Sequence, residues 1–307
     1  MTAAMLISAA SAFPRSGQEP NSPIFSSRSS VRQSIARLIE SGQLQQAQTQ
    51  LNQQLSHQGE SPDTLYLEAL LLFKQKQHEK SEEKLKRSLS IEKDDPEACL
   101  LLARNAVLLN QMELAETSLK TSIRLAPKEP LSHLHLGLLY FTTNRFSLAE
   151  SEFQALVSLD ATYMKGYDLL GLAQEELQGA EVVKATYQKA IDLAEKQHLH
   201  DESPYLHLAK FLWRKNSFPE SLPLAQRAVE VNPQSSGAYY VLGLVLDKLG
   251  QTEPAIKNLQ ESTRIDPQNV EAHYLLSRIY LKQGKQEEAR KELQLFRESK
   301  KTVKASP

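Results

Sequence analysis

A proline-ended segment returns along this chain at a step of 34 residues, and two clear copies close on Asn232-Pro233 and Asp266-Pro267. The copy from Ser236 reads SGAYYVLGLVLDKLGQTEPAIKNLQESTRIDP, and the next, from Val270, reads VEAHYLLSRIYLKQGKQEEARKELQLFRESK. A segment this short cannot bury its apolar surface alone. The copies must therefore stack and bury that surface against one another.

Counting in phase from Pro233 gives eight units: 28–61, 62–95, 96–129, 130–163, 164–201, 202–235, 236–269 and 270–303. All have 34 residues except the fifth, which carries four more, placed by the pattern around 196–201. Residues 1–27 precede the array and 304–307 form a short tail.

Each unit contains two apolar patterns of helical period. In the unit from Pro130 the first helix offers Leu136, Leu139 and Tyr140, and the second offers Phe153, Leu156 and Val157. Spacings of three and four put each set on one stripe. Between the stripes falls a residue tolerant of a left-handed backbone: Gly42, Asn110, Asn144, Asn216, Gly250 or Gly284. Lys76 stands there in the second unit, and the fifth has Gln178-Gly179, one residue late. Small residues mark two further columns. One holds Ala69, Ala103, Gly137, Gly171, Ala209, Gly243 and Ser277; the other holds Ala47, Ser81, Ala115, Ala149, Val183, Ser221, Ala255 and Ala289. Such columns predict close helix crossings, with Val183 the one bulky exception.

These residues resemble the tetratricopeptide repeat family, whose pattern is an aromatic, Leu-Gly, Tyr, Ala, an aromatic or Leu, and Pro. Tyr239, Leu242, Gly243, Ala255, Leu259 and Pro267 meet it, as do His133, Leu136, Gly137, Tyr140, Ala149 and Phe153. The resemblance covers residues 28–303 and implies an all-α fold, a right-handed α-solenoid of antiparallel helix pairs wound into a superhelix. The unit from Arg28, with Ile35-Ala36 in place of Leu-Gly, reads as an N-terminal cap.

Other features bound the function. The 36 basic and 37 acidic residues nearly cancel, so no basic surplus argues for nucleic acid or an anionic membrane. No run of eighteen apolar residues predicts an internal transmembrane helix. Phosphate-binding glycine loops, nucleophile elbows and His-Glu-x-x-His motifs are missing, so the sequence predicts neither an enzyme nor a bound cofactor. Cys99 falls where the family places a bulky core residue. His198, His200 and Asp201 sit in or beside the insertion and read as a solvated loop rather than a metal site. Thr2–Ala12 is uncharged and ends in Ala-Ser-Ala, resembling a secretory signal without its basic lead, and 13–27 reads as a disordered lead-in. The compartment stays open between export and the cytoplasm.

In the family the first helices line a concave groove that receives an extended peptide or a helix. Here the matching positions are Tyr66, Leu70 and Phe73; Leu100, Leu101, Arg104 and Leu108; Leu134, His135, Leu138 and Phe141; Leu169 and Leu172; Lys210, Trp213 and Arg214; Tyr240 and Leu244; Tyr274 and Arg278. The family's carboxylate-binding set is reduced to isolated Arg104, Lys210 and Arg278. Its asparagine ladder is replaced by Leu67, Leu101, His135, Leu169, His207, Val241 and Leu275. The resemblance therefore implies a protein-interaction scaffold for an apolar peptide or helical segment. The alternative is a permanent assembly subunit of a larger complex, a cell-envelope one included, and the oligomeric state stays open.

Overall fold

Every copy of the pattern becomes a pair of helices joined by a tight turn. The computed structural model describes residues 29–305, so the signal-like segment and the whole lead-in lie outside the described residues. The pairs are α1 (Ser30–Glu40) with α2 (Leu44–Gln58), α3 (Pro62–Lys74) with α4 (His78–Ile91), and α5 (Pro96–Leu108) with α6 (Met112–Leu125). Then come α7 (Pro130–Thr142) with α8 (Phe146–Leu159), α9 (Met164–Gln174) with α10 (Ala180–Lys196), and α11 (Ser203–Arg214) with α12 (Phe218–Val231). The last are α13 (Ser236–Lys248) with α14 (Thr252–Ile265), and α15 (Val270–Lys282) with α16 (Gln286–Ala305). The described residues contain no strand, and the fold is an all-α solenoid of helix pairs. The chain divides into two compact units, Met1–Gly166 and Tyr167–Pro307.

Local chemistry fixes where the helices begin. Proline opens α3, α5 and α7, where its missing N–H costs no helical hydrogen bond. The preceding residue caps each one. Ser61 and Thr64 form a capping box, and the Asp95 carboxylate accepts from the Glu97 and Ala98 amides. Ser235 and Asn269 cap α13 and α15 in the same way.

The turns close by a recurring bond, from the amide just after the left-handed residue to the carbonyl five residues back. Examples are Gln43 to Leu38, Arg145 to Tyr140 and Gln251 to Leu246. Gly42, Asn110, Asn144, Asn216, Gly250 and Gly284 all take positive φ, and so does Lys76 at 61°. The same closing bond, Gln77 to Leu72, holds Lys76 there against its preference. Lys76→Gly is therefore expected to stabilise the protein by about 1 kcal/mol by removing the Cβ from a left-handed position, read as a raised denaturation midpoint. The fifth unit differs. Gly179 has φ −65° and ends an irregular turn rather than forming a left-handed cap.

The four extra residues of the fifth unit enter after Ala180, since α10 begins in phase. They lengthen α10 to 17 residues, against 14 in α8 and α12, and supply the turn at His198, which takes φ 54°.

The small-residue columns are where the two helices of a pair touch. Ser81 Oγ donates to the Ala69 carbonyl and Ser221 Oγ to the Ala209 carbonyl, each at 2.7 Å. Where the first-helix residue is glycine, a large side chain fills the space. A Cβ on Gly137 would lie 2.5 Å from the Phe153 ring, and one on Gly171 would lie 2.6 Å from the Tyr187 ring. Val183 is fully buried beside Tyr187 and Ile191. Within the first compact unit one apolar cluster joins Ile35, Leu51, Leu67, Leu85 and Leu101. In the second, clusters gather around Val183, Tyr187 and Phe211, and around Val245, Leu259 and Leu276.

Candidate functional site

The first-helix side chains at the groove positions fall into two sets, buried and accessible. In the first compact unit Tyr66, Leu70, Leu100, Leu101, Leu134, His135 and Leu138 are buried. Leu134, at 1% exposure, and Leu138, at 7%, belong to the core of α7. Phe73, Arg104 and Phe141 are half-buried and Leu108 is exposed. The Arg104 guanidinium lies 4.9 Å from the Phe73 ring centre, and Phe141 stacks edge-on to Phe146 at 5.4 Å. Burial, reinforced by the Arg104 charge, pushes the His135 imidazole well below its ordinary range, so it is neutral at physiological pH.

In the second compact unit Leu169 and Leu244 are buried, while Leu172, Trp213 and Tyr240 are half-buried. Lys210, Arg214, Tyr274 and Arg278 are exposed. Arg214 is committed to Glu175, which also accepts from the Tyr187 hydroxyl. His207, in the column where the family carries asparagine, shares a 2.7 Å hydrogen bond with Asp168.

Two charged clusters were not singled out by the sequence reading. Arg32 of α1 is buried and donates to Asp63 at 2.9 Å, to Asp95 at 2.7 and 3.3 Å, and to Glu97 at 2.8 Å. Its guanidinium also covers the Tyr66 ring at 3.8 Å. Burial, with Glu97 next, pushes the Tyr66 hydroxyl above its ordinary range. The sequence did hold a signal: Asp63 and Glu97 occupy the same place in consecutive copies, one residue after the helix-opening proline.

The second cluster joins α6, α7 and the turn before α8. Glu116 accepts from Lys120 at 2.7 Å, from Arg145 at 2.7 Å and from the Tyr140 hydroxyl at 3.2 Å. The Lys120 bond chiefly, then Arg145 and Tyr140, pull its carboxyl down to about 2, against 4.5 ordinarily, while burial opposes them. A depressed folded value makes the contribution full above the unfolded value near 4.5 and lost as pH falls toward 2. The melting difference between the parent and Glu116→Gln is therefore expected to be largest at neutral pH and to shrink steadily as pH falls from the first value to the second. A constant difference down to the acid limit would show that the charge does not contribute.

Cys99 is buried and its thiol is pushed up to about 11, chiefly by burial, so it stays protonated and unreactive. Among the described residues no three His, Cys, Asp or Glu side chains gather as metal ligands, His198, His200 and Asp201 included. No helix among them is long and apolar enough to cross a membrane.

A family model described as tetratricopeptide repeat matches residues 100–163, and one described as anaphase-promoting complex, cyclosome, subunit 3 matches residues 214–295. No curated protein matches the sequence. Among solved structures, a chain of the APC/C hetero-tetramer Cut9-Hcn1 superposes with TM-score 0.63 and 17% identity, over 81% of this chain and 48% of that one. This chain thus spans about half the length of that protein. The Pseudomonas aeruginosa protein pilF superposes with TM-score 0.55 and 16% identity, over 66% of this chain and 90% of its own. At these identities the likeness is one of fold.

Proposed function

Because this chain is a tetratricopeptide repeat protein, we propose that it is a non-catalytic scaffold holding a peptide or helical segment of another protein on its first-helix face. Repeats of this kind typically mediate protein–protein interaction. The observation that carries the reading is the divided first-helix face: Phe73, Arg104, Leu108 and Phe141 remain accessible beside a buried leucine core. A few large apolar side chains dominate most interfaces, and burying one contributes about 1.5–3 kcal/mol.

The test is to purify the partner by affinity capture, identify it by mass spectrometry, and repeat the binding with variants. Leu108→Asp is expected to weaken capture while circular dichroism stays unchanged. Leu148→Asp, on the exposed side of a second helix, is expected to leave capture intact. Equal capture by both variants would place the interface elsewhere. The match of 214–295 to a complex-subunit family favours a second reading, a permanent assembly subunit. Light scattering after size exclusion separates the two: a monomer that binds reversibly is the adaptor.

A further inference from the structure

The fifth residue of each unit stands on its first helix, and the two compact units treat it differently. In the first, Arg32, Tyr66, Leu100 and Leu134 are all buried. In the second, Asp168 is buried and bonded to His207, but Leu206 and Tyr240 are half-buried and Tyr274 is exposed. Leu206 and Tyr240 have a helix pair before and after them, so stacking alone leaves this column partly open. Arg32 belongs to the first described pair, with no described pair before it, and is still 1% exposed.

The chain arrives at the same place. The hydroxyl of Ser29, the residue before α1, donates to Asp63 of α3 at 2.9 Å. Asp63, Asp95 and Glu97 converge on Arg32, which makes an acidic site at the starts of α3 and α5. Tyr66 and Leu100 follow on these two helices, one turn further in. Residues 13–28, FPRSGQEPNSPIFSSR, have the composition that suits this surface. They bring Arg15 and Arg28 against a single acid, Glu19, and three large apolar side chains, Phe13, Ile24 and Phe25. Pro14, Pro20 and Pro23 bias them toward an extended backbone. At about 3.3 Å per extended residue, four steps from Ser29 carry Phe25 about 13 Å, more than the roughly 10 Å between packed helices.

We propose that residues 13–28 occupy the first-helix face of the first compact unit in cis, with Ile24 and Phe25 against Tyr66 and Leu100 and Arg28 beside Asp63. The chain then closes part of its own binding face, and a partner must displace the segment. This rests on the scaffold reading above and adds its regulation. Phe73 and Arg104 stand on the same two helices, so a partner segment held there competes with the tethered one. Tethering gives a local concentration on the order of millimolar, so even a weakly bound segment holds the face.

The test uses the full chain and its double variant I24D/F25D, whose substitutions lie outside every described helix. A photo-crosslinking amino acid in place of Phe25 is expected to join α3 or α5 of the same chain, read by mass spectrometry. A synthetic peptide of residues 13–28 is expected to bind the double variant roughly tenfold more tightly than the parent, whose face is already filled. Equal peptide binding by the two proteins, or binding to neither, overturns the proposal. A crosslink confined to other helices also overturns it, and crosslinks between chains overturn it in favour of exchange between copies. Partner capture is expected to rise in the double variant. Capture lost in Leu108→Asp but unchanged in I24D/F25D leaves the scaffold reading standing and this one fallen. Capture indifferent to Leu108→Asp, with the crosslink and the peptide as expected, leaves the cis contact standing and the scaffold reading fallen.

Discussion

Replacing Arg32 by methionine is expected to destabilise the N-terminal part of the array by about 3–5 kcal/mol, the usual cost of removing one partner from a buried ion pair. The guanidinium is 1% exposed and bridges three helices, meeting Asp63 beside the start of α3 and Asp95 and Glu97 at the start of α5. Removing it leaves those carboxylates without the positive charge they converge on, in a place where water replaces it poorly. Neighbours in a repeat array stabilise one another, so the loss should be local first: amides of α1 and α2 should exchange faster before the rest of the chain unfolds. Adding Asp95→Asn to the variant should recover part of the loss, since asparagine still caps α5 but brings no charge. An unchanged chemical denaturation midpoint for the single variant would mean that the cluster is effectively solvated.

Gly243→Leu is expected to cost about 1–3 kcal/mol or more, by forcing α13 and α14 apart. A Cβ alone would lie 2.7 Å from Leu259 Cγ and 3.2 Å from the Ala255 carbonyl oxygen. The first neighbour is a fully buried side chain and the second is backbone, so neither can yield cheaply. Gly243→Ala separates two effects. Alanine gains up to about 1 kcal/mol of helix propensity, and any net destabilisation measures how far the crossing resists a single methyl group. A melting temperature equal to the parent's for the leucine variant would show that the helices do not approach closely there.

The fold was legible because the repeat forces many positions to agree. A turn residue, two small columns and two apolar stripes recur in phase, and a stack of helix pairs satisfies them together. Lys76 stands at the turn site without the usual residue type: the backbone conformation is set by the closing hydrogen bond, and the side chain only tolerates it. The candidate surface was less legible. Leucines such as Leu134 and Leu138 look alike in sequence whether they cement neighbouring pairs or face a ligand, and only their exposure separates the two. Arg32 was illegible for another reason. Its partners lie 31, 63 and 65 residues away, and an isolated arginine in a degenerate first unit carries no local sign of burial.

In the second, third and fourth pairs contact is denser between the two helices of a pair than between one pair and the next, as for α5 with α6 against α6 with α7. Serine bonds at the small-residue columns tie α3 to α4 and α11 to α12, and Ser81 also accepts from Asn105 of α5, one tie across a seam. Mechanically, the softer seams there run between pairs. Under tension this part of the first compact unit should lengthen as a spring does, opening those seams slightly before any of these pairs comes apart, and then yield in steps of one helix pair.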